Sequence, residues 1–162
     1  MPEPFFARRS EDMPTQDDLA SRTGLEFIQG VLNGELAAPP IGRVLQFRMT
    51  HAERGEVTFT GTPNFDALNP LGTVHGGWFG TLMDSCMACA VQTMLEKGQG
   101  YTTQEYKVNL IRPLFPQSQK VEATGRVQHF GRRTAVAVGE MRGVEDGKLY
   151  ATGSTTCLIM EL

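Results

Sequence analysis

One carboxylate lies in the most apolar helical stretch of the chain. Asp84 is the only formally charged residue between Asp66 and Glu96. An unpaired carboxylate costs free energy to bury, so its presence there requires either a partner or a function. Carboxylates whose pKa is perturbed by apolar surroundings are candidates for acid/base or nucleophilic chemistry. Asp84 is therefore the first candidate catalytic residue.

Two glycines stand at the predicted start of the helix that carries Asp84. Gly76 and Gly77 follow His75, and the first N–H groups of a helix have no partner inside it. With the helix dipole behind them, such N–H groups form a site for a developing oxyanion. Glycine also lets a substrate carbonyl approach the backbone closely. The helix start is thus predicted to polarise a carbonyl group.

The spacing of these groups predicts an assembly. Asp84 follows Gly76 by eight residues, which is roughly 12 Å along a helix axis. The two groups of one chain therefore cannot act on the same carbonyl carbon. Two antiparallel copies of the helix would place Gly76 of one subunit opposite Asp84 of the other. We expect an interfacial site in a two-fold homodimer.

The elements that must position these residues follow from hydrophobic periodicity and turn residues. A helix at about 16–33 is predicted to begin at the cap residue Thr15 and to end at Gly34. The long helix at 76–96 is apolar on nearly every side, so it should be enclosed by the rest of the protein. Six strands are predicted, at 41–50, 56–62, 102–111, 120–129, 134–142 and 149–159.

This order of elements predicts one α+β domain, with an antiparallel sheet of about six strands wrapped around one long buried helix. Residues 1–15 are predicted to be a flexible tail, and 16–162 to form the domain. The position of two cysteines, Cys86 and Cys89, well inside the long helix favours buried filler over a redox pair, because redox cysteines usually sit at a helix start.

Composition limits the partners and the compartment. The chain has 162 residues, 40% of them hydrophobic and 20% charged, with a net charge of −3. The lack of a basic surplus argues against nucleic-acid binding. No apolar run has the length of a signal peptide core or a membrane span, so we expect a cytoplasmic protein without a membrane partner. The three cysteines fit that reducing compartment.

The pattern Asn69-x-x-Gly72-x-x-His75-Gly76-Gly77-x-x-x-x-Leu82-x-Asp84 resembles the signature of hotdog-fold acyl-CoA thioesterases. The resemblance is strongest to the phenylacetate-pathway (PaaI-like) group and extends over about 44–159. It implies hydrolysis of an acyl- or aryl-CoA thioester to free CoA and a carboxylic acid. It also implies a homodimer or a dimer of dimers, no metal, and no cofactor other than the CoA of the substrate.

The resemblance also implies roles for individual residues. Gly76 would donate its N–H to the thioester oxygen, and Asp84 would activate water or attack directly. Asn69 would help to orient the reacting groups. His75 would also belong to the catalytic set, in a positioning role rather than as a general base, although alone it could be a helix-entry residue with a structural hydrogen bond. A strand hydroxyl would hold the water, for which Thr103 is the better match and Thr102 the competitor. The candidate residues for binding the CoA phosphates are Arg112, Gly131, Arg132 and Arg133.

Other interpretations stay open from the sequence alone. Asn69 could serve as a turn former, and Arg132 and Arg133 as solvated turn residues. An acyl-thioester hydratase or dehydratase of the same fold is one alternative function. A non-catalytic acyl-CoA binding protein is the other, although it would have no need for Asp84. The acyl group is not determined, since an aryl pocket and a fatty-acyl tunnel are both compatible with Trp78, Phe79 and Met83.

Overall fold

A computed structural model describes residues 5–116 and 119–162. The helices are α1 (Gln16–Ala20), α2 (Gly24–Asn33), α3 (Pro40–Val44) and α4 (Gly76–Gln92). The strands are β1 (Phe47–Glu53), β2 (Glu56–Gly61), β3 (Gln99–Leu110), β4 (Val121–Phe130), β5 (Thr134–Gly143) and β6 (Leu149–Glu161). The strands form one antiparallel sheet in the order β1-β2-β4-β5-β6-β3. The predicted α+β architecture is confirmed.

Helix α4 fills the concave side of this sheet. Its side chains at Phe79, Leu82 and Met83 are at most 2% exposed, and burying a side chain of this kind contributes about 1.5–3 kcal/mol relative to exposure. The sheet can approach the helix closely because glycine faces it. A Cβ atom at Gly125 would lie 2.3 Å from the carbonyl oxygen of Cys86, so a larger residue there would push the layers apart.

Strand β3 runs along one side of α4 at the edge of the described sheet. A Cβ atom at Gly76 would lie 3.2 Å from Leu110 Cδ1, and one at Gly80 would lie 3.2 Å from the Tyr106 hydroxyl. Further along, Thr103 reaches the helix. The register of β3 against β6 shifts after Thr103. This bulge changes the alternation, which explains how odd- and even-numbered residues of one strand both face α4.

The prediction of one helix at 16–33 is wrong. Two helices form instead, because each has its own capping box. Thr15 accepts from the Asp18 N–H as predicted, and Thr23 accepts from the Glu26 N–H. The second box fixes an extended residue before α2 and so interrupts the helical run. Gly34 ends α2 in the left-handed conformation, at φ 79°.

The first predicted strand is also corrected. Its early part forms α3, with Pro40 at the first helical position, where a missing N–H costs nothing. Strand β1 begins only at Phe47, after Gln46 turns the chain at φ 56°. The other five strands agree with prediction within three residues at each end.

Residues near the start of the chain pack on the domain. Ala7 is 1% exposed and its N–H donates to the Ala38 carbonyl at 2.9 Å, while the Ala38 N–H donates to the Phe5 carbonyl at 2.7 Å. This part of the predicted flexible tail is therefore packed and hydrogen-bonded. Residues 1–4 lie outside the described residues. Among the helices of the described ranges, none is long and apolar enough to cross a membrane.

Candidate functional site

Asp84 lies half-buried on α4, facing strand β3. The Thr103 hydroxyl donates to Asp84 Oδ1 at 3.1 Å. Burial raises the pKa of Asp84 above its ordinary 3.8, and the Thr103 hydrogen bond only partly opposes this. Thr102 is exposed and, among the described contacts, makes none with Asp84. Thr103, and not Thr102, is therefore the residue whose hydroxyl contacts the carboxylate. Asp84 is a partly desolvated carboxylate on the helix.

The start of α4 presents one free backbone donor. His75 caps the helix, and its Nδ1 accepts from the Gly77 N–H at 2.8 Å. The Trp78 N–H donates to the His75 carbonyl at 3.0 Å. Among the hydrogen bonds of residues 5–116 and 119–162, none is donated by the Gly76 N–H. Gly76 is thus available to a ligand, whereas the observed contact of His75 is that of a helix cap.

Asn69 holds the loop that leads into α4. Its Nδ2 donates to Thr73 Oγ1 at 2.8 Å, and its Oδ1 accepts from the Leu71 N–H at 2.9 Å. The Thr73 N–H also donates to Oδ1, at 3.3 Å. The side chain therefore closes the turn before His75, as a turn former would, and the structure does not bring it to Asp84. Any influence on the reaction would pass through the position of the helix start.

The two halves of the predicted site are separate within one chain. Gly76 lies beside Leu110 near one end of β3, whereas Asp84 contacts Thr103 near the other. Between them, Tyr106 lies against Gly80 and is 47% exposed. Sequence reasoning missed Tyr106, because strict alternation from Thr103 would have turned it away from the helix. The bulge in β3 is the feature that brings it to this face.

The candidate CoA-binding residues also divide between the ends of the sheet. Arg112 follows β3 near the helix start, and its guanidinium donates to the Leu149 carbonyl at 2.6 Å. Arg132 and Arg133 are exposed in the turn between β4 and β5. This turn is closed by the Gly131 N–H, which donates to the Thr134 carbonyl at 2.8 Å.

The register of the sheet places that turn at the same end of the sheet as Thr103. Ala135 pairs with Cys157, and Cys157 pairs with Thr103. The exposed arginines that precede β5 therefore lie at the Thr103 end of the sheet. One chain thus carries a basic group near each half of the site, with Arg112 at the Gly76 end.

The remaining candidates for ligation or redox chemistry lie elsewhere. Burial raises the pKa of the Cys86 thiol well above its usual range and that of Cys89 to about 12, so both thiols stay protonated. Cys86 is buried filler as predicted, whereas Cys89 is only partly buried. In the part of the chain that is described, one cluster has metal-ligand geometry: His51, Glu53 and Glu56 on the β1–β2 hairpin. It is largely solvent-exposed and belongs to the opposite edge of the sheet from β3.

Comparisons with known proteins fit this arrangement. A family model described as the thioesterase superfamily matches residues 71–150, which begin just before α4. The structure of a single-residue mutant of the phenylacetic acid degradation protein PaaI from Thermus thermophilus is 30% identical, with a TM-score of 0.67 over 74% of this chain and 97% of that chain. A hypothetical thioesterase from Streptococcus pneumoniae, solved with coenzyme A, is 22% identical, with a TM-score of 0.65 over 72% of this chain and 87% of that chain.

A putative esterase of Caenorhabditis elegans is 36% identical over 89 residues, or 55% of this chain. The chain spans about half the length of this curated relative, since the match covers 52% of it. The sheet wrapped around α4 is the hotdog fold that the resemblance implied. The chain belongs to the thioesterase superfamily, and its structural relatives include PaaI-like proteins.

Proposed function

We propose that the protein hydrolyses an acyl- or aryl-CoA thioester to free CoA and a carboxylic acid. The observation that carries this proposal is the half-buried carboxylate of Asp84, with a raised pKa and a hydroxyl partner in Thr103. A general base works best when its pKa approaches the working pH, and burial moves a carboxyl in that direction. The free N–H of Gly76 supplies the second requirement, a donor for the carbonyl oxygen.

In the proposed reaction, the thioester oxygen accepts from the Gly76 N–H, and its carbonyl carbon becomes more electrophilic. Asp84 takes a proton from water as the water oxygen attacks that carbon. The C–S bond then breaks, the CoA sulfur takes up a proton, and the acid is released. Direct attack by Asp84 would instead form an anhydride that water opens. Neither route uses a metal or any group beyond the substrate and water.

We also propose that the active unit is a homodimer, or a dimer of two such dimers. The separation of Gly76 and Asp84 supports it, because one chain offers only half of the groups at each end. Strand β3 supports it as well: it is a twelve-residue edge strand, with Tyr106 47% and Leu110 54% exposed. A long exposed edge strand is a liability in an isolated chain, so a second copy is a natural cover.

An antiparallel pair of subunits would also unite the basic residues. Arg112 lies at the Gly76 end of one chain, and Arg132 and Arg133 lie at the Asp84 end of the other. Guanidinium groups suit phosphate oxygens, and Gly131 leaves room for close approach. The coenzyme A complex of the Streptococcus pneumoniae thioesterase supports acyl-CoA as the substrate class for this chain.

The test is release of free thiol from a panel of aryl-CoA and short-to-medium acyl-CoA substrates. Wild type should hydrolyse at least one of them, and Asp84→Ala should lower turnover by a factor of about 10² or more. Asp66→Ala is the matched control, since Asp66 is exposed in a short 3-10 helix between β2 and α4 and its substitution should leave turnover unchanged. Binding of acyl-CoA without thiol release, or full activity of Asp84→Ala, would instead favour a binding protein.

A further inference from the structure

A cavity of about 280 Å³ lies between the N-terminal helices and the sheet. Helix α2 lines it with Phe27, Val31 and Leu32, and α4 lines it with Ser85 and Cys89. Most of the other lining side chains are apolar, and Arg48 is the one formally charged residue among them. The cavity therefore suits an uncharged, apolar group.

The residues that the sequence suggested for an acyl pocket are not in this cavity. Trp78, Phe79 and Met83 are at most 3% exposed and pack in the core instead, because the sheet covers that side of α4. The cavity occupies a different side of the helix, the one that faces α2. Its lining from α4 is Ser85, Cys89 and Gln92, at the spacing of one helix face.

The cavity begins beside the candidate base. Ser85 is the next residue after Asp84 and stands in the cavity wall. Tyr101 also lines the cavity, and it shares a face of β3 with Thr103, because side chains two apart on a strand point the same way. An acyl group inside the cavity would thus have its carbonyl end near the Asp84 carboxylate.

We propose that this cavity binds the acyl group of the substrate and that the N-terminal segment, residues 5–44, sets the acyl specificity. The inference rests on the proposed thioesterase function. An apolar cavity of ~150 Å³ holds a benzene molecule, so by the same ratio this cavity has room for roughly ten carbon atoms. The substrate class is therefore medium-chain or arylalkyl acyl-CoA, without a charge on the acyl group.

The N-terminal segment is anchored well enough to form a defined wall. The Gly24 N–H donates to the Leu95 carbonyl at 2.9 Å. A Cβ atom at Gly24 would lie 1.6 Å from the Gln92 carbonyl oxygen, so α2 rests directly on the end of α4. The Gly98 N–H also donates to the Ala20 carbonyl at 3.0 Å, and within the segment the Ala7 N–H donates to the Ala38 carbonyl. The segment lies outside residues 71–150, which match the family model.

The experiment compares kcat/KM for acetyl-, butyryl-, octanoyl-, decanoyl- and palmitoyl-CoA. Wild type should rise with chain length to about decanoyl-CoA and then fall. Val31→Phe fills the cavity and should lower kcat/KM for octanoyl- and decanoyl-CoA by about tenfold or more, the effect of steric mismatch in an apolar pocket. Its value for acetyl-CoA should stay within about twofold of wild type. Val44→Phe is the matched control, because Val44 is 61% exposed and outside the cavity.

A second filling variant, Cys89→Leu, tests the opposite wall and serves if Val31→Phe fails to fold. A wild-type profile that does not rise beyond acetyl-CoA overturns the proposal without any variant. So does a parallel loss on all substrates in a folded Cys89→Leu protein. These outcomes differ from failure of the proposed function, in which wild type would release no thiol from any thioester, acetyl-CoA included.

Discussion

The side of the molecule formed by α4 and β3 differs from the N-terminal segment in how it depends on sequence. On the first, a few polar groups at fixed positions carry the proposed chemistry: the Gly76 N–H, the Asp84 carboxylate and the Thr103 hydroxyl. The second presents apolar side chains whose shape and volume matter more than their identity. The family model matches α4 and strands β3 to β5, and it omits the segment together with β1, β2 and most of β6. On these proposals, the reaction type and the acyl specificity depend on separate parts of one chain.

The two regions also contribute to stability with opposite signs. Burial raises the pKa of Asp84, which means that holding this carboxylate ionised costs folding free energy. The N-terminal segment instead carries two complete capping boxes, Thr15 with Asp18 and Thr23 with Glu26, and a helix cap contributes about 1 kcal/mol. The side that is proposed to carry the chemistry thus loses folding free energy through Asp84, whereas the capped helix starts of the N-terminal segment gain it.

Among the substitutions that distinguish the two regions, Gly76→Pro is expected to have the largest effect on activity. Proline at the first helical position removes the N–H without breaking the helix, and His75, at φ −64° and ψ 140°, already has the backbone that precedes proline. Loss of one oxyanion donor should lower kcat by about 10²–10³. Gly76→Ala is the control, since it adds the same Cβ beside Leu110 but keeps the donor. Equal losses in both variants would assign the effect to crowding.

Mixing two inactive chains sharpens the same prediction. In a mixed dimer of Gly76→Pro and Asp84→Ala chains, one of the two sites would combine an intact Gly76 with an intact Asp84. Random mixing makes about half of the dimers mixed, so activity should return to about a quarter of the wild-type level. Each variant alone stays inactive. No recovery after verified chain exchange would place both groups in one subunit's site.

A smaller effect is expected from Thr103→Val. The hydroxyl lowers the pKa of Asp84 against the effect of burial, so its removal should raise that pKa further. The acidic limb of kcat/KM should then move to higher pH, because the base is protonated earlier as pH falls. Turnover on the plateau should drop roughly tenfold, as for loss of a hydrogen bond to a charged group. Thr102→Val is the control, and an identical pH profile for Thr103→Val would remove the hydroxyl from the mechanism.

The fold and the outline of the site could be predicted because their signals are local. The helix of Asp84 is apolar on all sides, and five strands are bounded by clear turn residues, so their positions followed from periodicity. Thr103 was suggested only through family resemblance, as the hydroxyl that holds the water and with Thr102 as the competitor, and its contact with Asp84 was not predicted. Its physical basis is the register of β3 against α4, which no local pattern encodes.

The errors have non-local or competing causes. Residues 41–44 have strand-like composition, yet Pro40 starts a helix there. The break between α1 and α2 depends on a second capping box that the continuous helical periodicity obscured. The cavity beside Ser85 could not be predicted, because it exists only where α2 rests on the end of α4. Packing between segments far apart in sequence decides which side of α4 is solid core and which is open.

The smallest expected effect is on stability. Here the substitution is expected to be favourable, whereas the earlier ones lower activity. The folded-state pKa of Asp84 is above its ordinary value of 3.8, so its contribution to stability is fully present below that value and is lost as pH rises through the folded pKa. Asp84→Asn keeps an acceptor for Thr103 without the charge and should raise the free energy of unfolding at pH 7 by roughly 0.5–2 kcal/mol. Urea unfolding at one fixed chain concentration, repeated from pH 7 to pH 4, should show this gain shrinking as pH falls. The control substitution Asp66→Asn, at an exposed position, should change the free energy of unfolding little. If the gain from Asp84→Asn were constant with pH, packing rather than the buried charge would account for the difference between the two regions.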